Sequence, residues 1–402
     1  MSRPIAIGVV VLGSALVLAA CGSNGSSPTS MSTSSSVSPT GSPTSSASPS
    51  PALTTPSPAP SYSFRFVGDG LDRPNFQDVG VSDARGDVIV VAVRTKSDTA
   101  GVDVGLVFSV DAGDTWAWGG TLQLPGEQLA QGITITPQGV VIVGETRAGE
   151  ADPKAFIATA AAPNFDLVAM TLPAEFSGPI SLRDIALAED QWVIVGLGRD
   201  DASYATLLWQ SSDQGVTWSR SVIALPGVMA PSQLVVGPDG AWNIVGATQK
   251  SAAWARSEDG GLQWTYVQPE TFADSDDASQ FIVSANNVVG ILGLQDGKVV
   301  LWVADAQGAL MRMPLPDPSI QAIAFQGEQV VTAGSPANDQ IQFWSLDAGV
   351  WDKAGSIIGA PNGILLNRLI SGGSDVVVIG TTRSTVSPRN IGIWKGALAP
   401  SA

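Results

Sequence analysis

A short run of alternating apolar residues that ends near a glycine recurs seven times along the chain. The copies read VIVVAV (88–93), VVIVGE (140–145), WVIVGL (192–197), WNIVGA (242–247), VVGILG (288–293), QVVTAG (329–334) and VVVIGT (376–381). They share a small residue, at Ala92, Gly144, Gly196, Gly246, Gly293, Gly334 and Gly380. Alternation of this kind is typical of a β-strand. Repeats about 40 to 50 residues long, each with several short strands, predict the blades of a β-propeller.

The remaining strands of each repeat complete a four-stranded blade. A third strand follows the pattern and often carries an aromatic residue, and several fourth strands end at Leu-Pro, which suits an edge strand. The seventh repeat stops after its third strand, near Ile393, whereas the alternation at 62–67 has no repeat of its own. We therefore predict an all-β fold of seven antiparallel four-stranded blades, with residues 62–67 as the missing fourth strand of blade seven.

The first 21 residues have the organisation of a bacterial export signal. Arg3 precedes an apolar stretch at 5–20 that is short for a membrane span and has no charged flank after it. The sequence LAAC (18–21) resembles the bacterial lipobox, which implies that residues 1–20 are removed and that Cys21 is acylated. Acyl chains would hold the protein at the cell membrane, facing outside the cytoplasm. An uncleaved transmembrane helix is the alternative, but Cys21 is the only cysteine in the chain.

Residues 21–61 separate this signal from the predicted propeller. After Cys21 the segment consists almost only of Ser, Thr, Pro, Gly and Ala and carries no charge. Such a composition cannot bury a core, so we expect a disordered tether with local polyproline II character. Its Ser/Thr-Pro content is also typical of O-glycosylated stalks. The predicted organisation is a signal peptide at 1–20, a tether at 21–61 and a propeller at 62–402.

The charged and reactive residues exclude several function classes. The chain has 36 acidic and 20 basic residues, a net charge of −16, and no histidine. A Ser-His-Asp triad and a histidine-based zinc site are therefore excluded. The acidic charge repels phosphate, so we expect no nucleic-acid partner. We expect no cofactor and no metal, and a monomer. The charge favours solubility, with a cationic partner or bound calcium as the alternative.

Turns between the predicted third and fourth strands repeat an eight-residue motif. Segments 109–116, 211–218 and 257–264 fit S-x-D-x-G-x-T-W, with Gln263 in place of Thr, and 345–351 is a copy that lacks one residue. The motif resembles the Asp-box, also called the BNR repeat, of sialidases and related propellers. The resemblance implies structural turns on the face opposite the ligand site. We assign a structural role to its aspartates, Asp111, Asp213, Asp259 and Asp347.

The resemblance does not extend to sialidase chemistry, and we assign no catalytic residue. The family's Arg-Ile-Pro motif is missing near the first strand, and Tyr62, Tyr204 and Tyr266 have no evident glutamate partner. A glycosidase that uses two carboxylates requires less. Loop acids that could supply such a pair are Asp200, Asp201, Asp274, Asp276 and Asp277. The last three could instead hold calcium, and solvated loop acids are the simplest interpretation.

A polar residue begins the innermost strand of each repeat. Counted back from the shared small residue, these residues are Gln77, Gln131, Arg183, Gln233, Gln280, Gln321 and Asn367. Strand periodicity directs them towards the central channel, where buried amides must be paired. We predict a ring in which each side chain bonds a neighbouring blade or channel water. A ligand role is the alternative, in which Arg183 binds an anionic group and the adjacent Asp184 competes for it.

Two functions from different classes fit this sequence. The first is a lipid-anchored, non-catalytic binding or assembly module that presents a propeller face to a protein or glycan ligand. Seven-bladed propellers with degenerate Asp-boxes resemble photosystem-assembly factors and other extracytoplasmic scaffolds. The second is a glycan-active hydrolase, sialidase-like or with two carboxylates. The absence of histidine and of the sialidase residues favours the binding module, although propellers host both functions.

Overall fold

The computed structural model describes residues 62–398 apart from short gaps. The gaps are 69–70, 72–74, 98–100, 148–152, 201–202, 226, 250, 268–271, 273–274, 284–287, 305–309, 327–328, 338–339, 348, 359–363, 373–374 and 383–389. Cys21 and the predicted tether lie outside the described residues. All described strands belong to one compact unit, Pro56–Ala402. No helix in this described part is long and apolar enough to cross a bilayer.

The described strands form seven antiparallel sheets of four strands, which confirms the predicted fold. Blade one consists of β2 (Phe76–Arg85), β3 (Val88–Ser97), β4 (Gly101–Ser109) and β5 (Ala117–Leu122). Blade two consists of β6 (Glu127–Thr136), β7 (Gly139–Arg147), β8 (Lys154–Ala161) and β9 (Asp166–Ala169), and blade three of β10 (Ser181–Ala188), β11 (Gln191–Asp200), β12 (Ser203–Ser211) and β13 (Ser219–Val222). Blade four consists of β14 (Ala230–Val236), β15 (Trp242–Ala247), β16 (Ala252–Ser257) and β17 (Thr265–Val267).

Blade five consists of β18 (Ser275–Val283), β19 (Val289–Gln295), β20 (Lys298–Ala304) and β21 (Leu310–Met313). Blade six consists of β22 (Ile320–Gln326), β23 (Gln329–Ala337), β24 (Gln340–Asp347) and β25 (Val350–Ile358). Blade seven consists of β26 (Ile364–Gly372), β27 (Asp375–Thr382), β28 (Asn390–Leu398) and β1 (Tyr62–Phe66). One 3-10 turn, Ala174–Phe176, precedes blade three. The ring closes as the sequence predicts, because β1 pairs with β28 from Tyr62 opposite Leu398 to Phe66 opposite Trp394.

The strand directions give the disc two distinct faces. Turns between the first and second strands, and between the third and fourth, lie on one face, because successive strands are antiparallel. We call this the proximal face, since β1 begins there: Tyr62 pairs with Leu398, one residue beyond the Ala397–Asp375 pair. The distal face carries the turns between second and third strands and the connections between blades.

Apolar side chains fill each space between neighbouring blades. Blades one and two bury Leu106, Ile142 and Phe156 together, and each other adjacent pair, including blades seven and one, encloses its own cluster. Trp209 and Trp302 are fully buried. Burying a large side chain contributes about 1.5–3 kcal/mol relative to exposure. The core is therefore a closed series of seven interfaces around a central channel.

A charge cluster on the proximal side fastens the closing strand. Lys395 of β28 lies 2.8 Å from Asp114 and 3.2 Å from Asp375, and Arg65 of β1 also pairs with Asp114. Because Asp114 belongs to the turn between β4 and β5, this cluster joins blades one and seven. Phe64 stacks on Phe343 of blade six at 4.2 Å. The closing strand thus contacts the blades on both of its sides.

Candidate functional site

The innermost strands of all seven blades surround a central cavity of about 840 Å³. These strands are β2, β6, β10, β14, β18, β22 and β26, and each packs against the next around the ring. The described lining is apolar apart from a few serines and threonines, three glutamines and four charged side chains. The glutamines are Gln131, Gln233 and Gln280, and the charged residues are Asp83, Arg85, Asp184 and Arg368.

A β-bulge near the start of each innermost strand decides where the predicted ring residues lie. The bulged residue is Gln77 in β2, Gln131 in β6, Arg183 in β10, Gln321 in β22 and Asn367 in β26. In β14 and β18 the residue bulged at this position is a serine, Ser232 or Ser279, so that Gln233 and Gln280 come one position later. The seven residues therefore do not occupy one structural level.

Turn length explains this difference in level. Five residues, 237–241, separate the paired Val236 and Trp242, whereas four, 188–191, separate the equivalent Leu187 and Trp192. The turn after β18 is also one residue longer, with 284–288 between Val283 and Val289. In these two blades the extra residue shifts the bulge one position further from the shared glycine. The true equivalents of Asp184 are therefore Gln233, Gln280 and, in β26, Arg368.

The residue after the bulge links consecutive blades in half of the ring. Asp184 Oδ2 accepts a hydrogen bond from the amide of Leu234 at 2.8 Å. Gln233 Oε1 accepts one from Phe281 at 2.7 Å, and Gln280 Oε1 accepts one from Ile323 at 3.3 Å. Each amide belongs to the innermost strand of the next blade. Gln233 and Gln280 of the predicted ring thus each accept a hydrogen bond from the next blade, and so does Asp184, which was not predicted to belong to the ring.

Blades one and two provide a variation on this link. The equivalent of Asp184 in β6 is Gly132, where a Cβ atom would come within 2.6 Å of the Asp184 Cα and Oδ1. A glycine at this position leaves room for the Asp184 carboxyl group. In β2 the linking residue is Asp83, whose Oδ2 accepts a hydrogen bond from Ile135 at 2.8 Å and whose Oδ1 accepts one from Ala84.

Burial controls the protonation of the two channel acids. Burial raises the pKa of Asp184 to about 8, although hydrogen bonds from Leu234 and Ile185 act in the opposite direction. Burial also raises the pKa of Asp83. At pH 7 Asp184 is therefore mainly in its neutral form, because a carboxyl group is protonated below its pKa.

Arg368 is the channel cation whose charge acts on Asp184. Burial lowers its pKa, and the neighbouring carboxyl groups Asp184 and Asp78 oppose this shift. Its one hydrogen bond within the described residues is a long one, 3.5 Å from Nη1 to the carbonyl of Asn367. Asp78 is already engaged, since its Oδ1 accepts from the Val79 amide and the Asn367 and Thr381 side chains. Most guanidinium donors of Arg368 thus have no partner in the described protein.

The remaining ring residues lie apart from the cavity lining. Arg183 is electrostatically coupled to Glu145 and Arg147 of blade two rather than to Asp184, and its buried Nε has no partner among the described residues. Glu145 accepts hydrogen bonds from Arg147 and from the Ser181 hydroxyl. Asn367 bonds Asp78 and Thr381. Gln77 and Gln321 are not among the described lining residues.

The turn aspartates bond within their own turns. Asp111 accepts hydrogen bonds from the Thr115 amide and hydroxyl and from the Ser109 hydroxyl, and Asp213 makes the same three contacts with Thr217 and Ser211. These bonds lower the pKa of Asp111, Asp213 and Asp259. Gly113 and Gly215 have φ values of 89° and 85°, which favour glycine. The side chain of Asp347 lies outside the described residues.

The loop acids considered for catalysis are described only in part. Asp200 lies on the distal edge of blade three, 3.6 Å from Arg220, and is half exposed. Asp201, Asp274 and the side chains of Asp276 and Asp277 lie outside the described residues. No group of three acidic or thiol side chains that could hold a metal ion occurs within the described part of the chain.

Comparisons with known proteins support the fold. No protein-family model matches the sequence, and no curated protein matches it. Solved structures that match include the polysaccharide lyase Uly1 (TM-score 0.55, 10% identity, 82% of this chain and 93% of that one) and YCF48 bound to a D1 peptide (TM-score 0.54, 14%, 86% and 99%). A sialidase from Trypanosoma rangeli also matches (TM-score 0.45, 14%, 83% and 59%). The chain therefore shares the propeller fold with the polysaccharide lyase Uly1 and with YCF48.

Proposed function

We propose that this chain is a lipid-anchored, extracytoplasmic binding or assembly module that presents its distal face to a protein or glycan ligand. The LAAC sequence at 18–21 supports the anchor. The closing strand begins on the proximal face, and the predicted tether directly precedes it in the sequence. We therefore propose the distal face, on which β1 ends, as the ligand face.

The observation that supports a binding role is that the channel carboxyl groups are engaged in structural hydrogen bonds. Asp83 and Asp184 each accept two backbone amides, one from their own strand and one from the next blade. Inverting glycosidases need one carboxylate free to activate water and one acid free to protonate the leaving group. Both oxygens of Asp83 and of Asp184 are committed to structure. These two acids therefore suit a rigid scaffold better than a catalytic pair.

The distal edge of blade three provides a surface for a macromolecular ligand. Tyr204 is 56% exposed there, and the Arg199 guanidinium lies 5.4 Å from the centre of its ring. Arg220 donates a hydrogen bond to the Arg199 carbonyl at 2.6 Å and pairs with Asp200. Tyrosine and arginine are enriched at the energetically important centres of protein interfaces. We expect this edge to contribute directly to ligand contact.

A glycan-active hydrolase remains the second candidate because of one observation. Burial keeps Asp184 protonated at neutral pH, with its pKa raised to about 8. A protonated carboxyl group in a cleft is the state that a general acid requires. This role would require Asp184 to release its structural hydrogen bonds during turnover.

One experiment separates the two candidates. The full chain, purified from membranes, is applied to immobilised glycans and peptides, and retained ligands are then tested for cleavage. A binding module retains a ligand without cleaving it, Asp184→Asn leaves retention unchanged, and Tyr204→Ala weakens it. Leu262→Ala is the matched control, because Leu262 is 84% exposed on the proximal face. Cleavage that disappears in Asp184→Asn would establish the hydrolase, and retention unaffected by Tyr204→Ala would exclude the blade-three edge.

The anchor has its own test. Cys21→Ala should release the protein from the membrane fraction or block its processing, because the thiol is the only group that can form the thioether. Arg3→Gln is a control that preserves the cysteine. Unchanged membrane retention and an unchanged mature mass in Cys21→Ala would contradict the anchor.

A further inference from the structure

The channel contains a cation whose hydrogen-bonding capacity is not used by the protein. Arg368 presents five N–H donors, and within the described residues they make one long hydrogen bond, to the Asn367 carbonyl. No carboxylate of the described chain lies within ion-pair distance of its guanidinium. The side chain is half-buried in the channel wall, and its free donors are open to the cavity. The position can therefore hold an anion supplied from outside the protein.

Two other polar side chains of the same cavity lining help to define what kind of anion fits. Gln233 uses its oxygen for the Phe281 amide, which leaves its Nε2 donor without a partner among the described residues. Gln131 also lines the cavity, and its side chain makes no hydrogen bond in the described structure. A site with one guanidinium group and neutral amide donors matches a ligand group that carries a single negative charge. A dianion would face uncompensated repulsion from Asp78, which lies on the neighbouring strand β2 and whose charge acts on Arg368.

We propose that Arg368, with the amide groups of Gln131 and Gln233, forms a carboxylate-binding site inside the central channel. The planar guanidinium can hold a carboxylate through two parallel hydrogen bonds. The cavity volume of about 840 Å³ admits a small molecule or one residue of a longer ligand. This site deepens the proposed function, because it gives the binding module a monocarboxylate group as part of its ligand. The carboxylate can belong to a free acid or to a sugar acid.

Asp184 makes this site sensitive to pH. Its carboxyl group faces Arg368 of β26, Asp83 of β2, Gly132 of β6 and the Leu234 amide of β14. Below its pKa of about 8 it is neutral and does not repel a bound carboxylate. Above that pH it ionises, competes with the ligand for the guanidinium and repels it. Carboxylate binding should therefore weaken as the pH rises from 7 to 9.5.

The test measures binding of sodium acetate and of glucuronate to the full chain by calorimetry, with sodium chloride as the ionic control. The wild type should bind at least one of the two carboxylates saturably. Arg368→Gln should weaken binding at least tenfold, while Arg183→Gln, which alters an arginine outside the cavity lining, should bind like the wild type. Binding of acetate alone would assign the site to small free acids, and binding of glucuronate would assign it to sugar acids.

Two further variants keep the test decisive. If Arg368→Gln does not fold, Arg368→Lys retains the charge but loses the planar fork, and it should weaken binding at least threefold. Asp184→Asn should bind equally well at pH 7 and pH 9.5. No saturable binding by the wild type, or equal losses in Arg183→Gln and Arg368→Gln, would overturn the site. Retention of ligands through the blade-three edge would survive that result, so failure of this site is distinct from failure of the proposed function.

Discussion

Asp213 in a turn of the proximal face and Asp184 in the channel are the same residue type in the same kind of contact. Each carboxyl group accepts hydrogen bonds from backbone amides, and Asp213 also accepts two from hydroxyl groups. The hydrogen bonds from Thr217 lower the pKa of Asp213, whereas burial raises the pKa of Asp184 to about 8. Hydrogen bonding stabilises an exposed carboxylate, but the loss of water dominates in the channel.

This difference separates structural acids from acids that can respond to their surroundings. The turn aspartates remain ionised across the physiological range and hold their hairpins at every pH in it. Asp184 changes charge near neutrality, beside a cation and in a cavity that a small ligand can enter. The channel is therefore the part of the propeller in which a ligand or a change of pH has the largest electrostatic effect.

The largest effect on stability should come from truncating the channel acid. Asp184→Ala leaves the Leu234 and Ile185 amides unpaired, and we expect it to lower the free energy of unfolding by about 2–4 kcal/mol. Asp184→Asn is the matched control, because its amide oxygen can still accept one of the two bonds. Urea denaturation measures both variants. Equal stability of Asp184→Ala and the wild type would show that the inter-blade link contributes nothing.

The next largest effect on stability is expected in the charge cluster around Asp114 on the proximal face. Lys395→Met removes a nearly buried cation that pairs with Asp114 and Asp375, and should cost about 1–3 kcal/mol because Asp114 remains half exposed. Arg65→Met should cost less than about 1 kcal/mol, since Arg65 is 61% exposed. Thermal unfolding of the two variants compares them. A larger loss of stability in Arg65→Met than in Lys395→Met would show that the Lys395 contacts are not what holds the ring closed.

A smaller effect is expected from the weakest link in the channel series. Gln280 makes two long hydrogen bonds to blade six, 3.3 Å from its oxygen to the Ile323 amide and 3.3 Å from its Nε2 to the Gln321 carbonyl, compared with 2.7 Å between Gln233 and Phe281. Gln280→Ala should therefore destabilise the protein by about 0.5–1.5 kcal/mol, and Gln233→Ala by more. Denaturant midpoints at one pH suffice for the comparison. A larger loss of stability in Gln280→Ala than in Gln233→Ala would mean that hydrogen-bond length does not determine how much each link contributes.

The sequence was sufficient to predict the fold, because the blade pattern is repeated seven times and one unpaired strand remained to close the ring. It also indicated that glutamines at the start of the innermost strands pair with neighbouring blades, which Gln233 and Gln280 do. Nothing in the pattern of residue types reveals a bulge, and only the spacing between residues changes with it. One extra residue in two turns was enough to align Arg183 with Gln233, although the structural equivalent of Gln233 is Asp184.

The electrostatics of the channel could not be predicted from spacing. Arg183 and Arg368 both belong to innermost strands, and only the positions of the bulges show that Arg368 lines the cavity while Arg183 is coupled to Glu145. The raised pKa of Asp184 depends on its burial in the channel wall, between blades that are distant in sequence. Sequence alone therefore located the correct strands but selected the wrong arginine for the channel.

The central claim, that the channel and not the turns carries the pH-sensitive acid, is tested most directly by unfolding free energies from pH 5 to pH 9.5. The turn aspartates have lowered pKa values, so the stability they contribute is complete above about pH 4 and is lost only at lower pH. Asp184 has a raised pKa, so the native state retains a proton that the unfolded state has released. Its contribution therefore falls as the pH rises from 5 to 8.

The chain contains no histidine, so the side chain that ordinarily titrates between pH 5 and 8 does not obscure this window. The quantity to measure is the unfolding free energy of the wild type minus that of Asp184→Asn. We predict that this difference decreases steadily from pH 5 to 8 and becomes constant above pH 9. A difference that is independent of pH, or that increases with pH, would contradict the account.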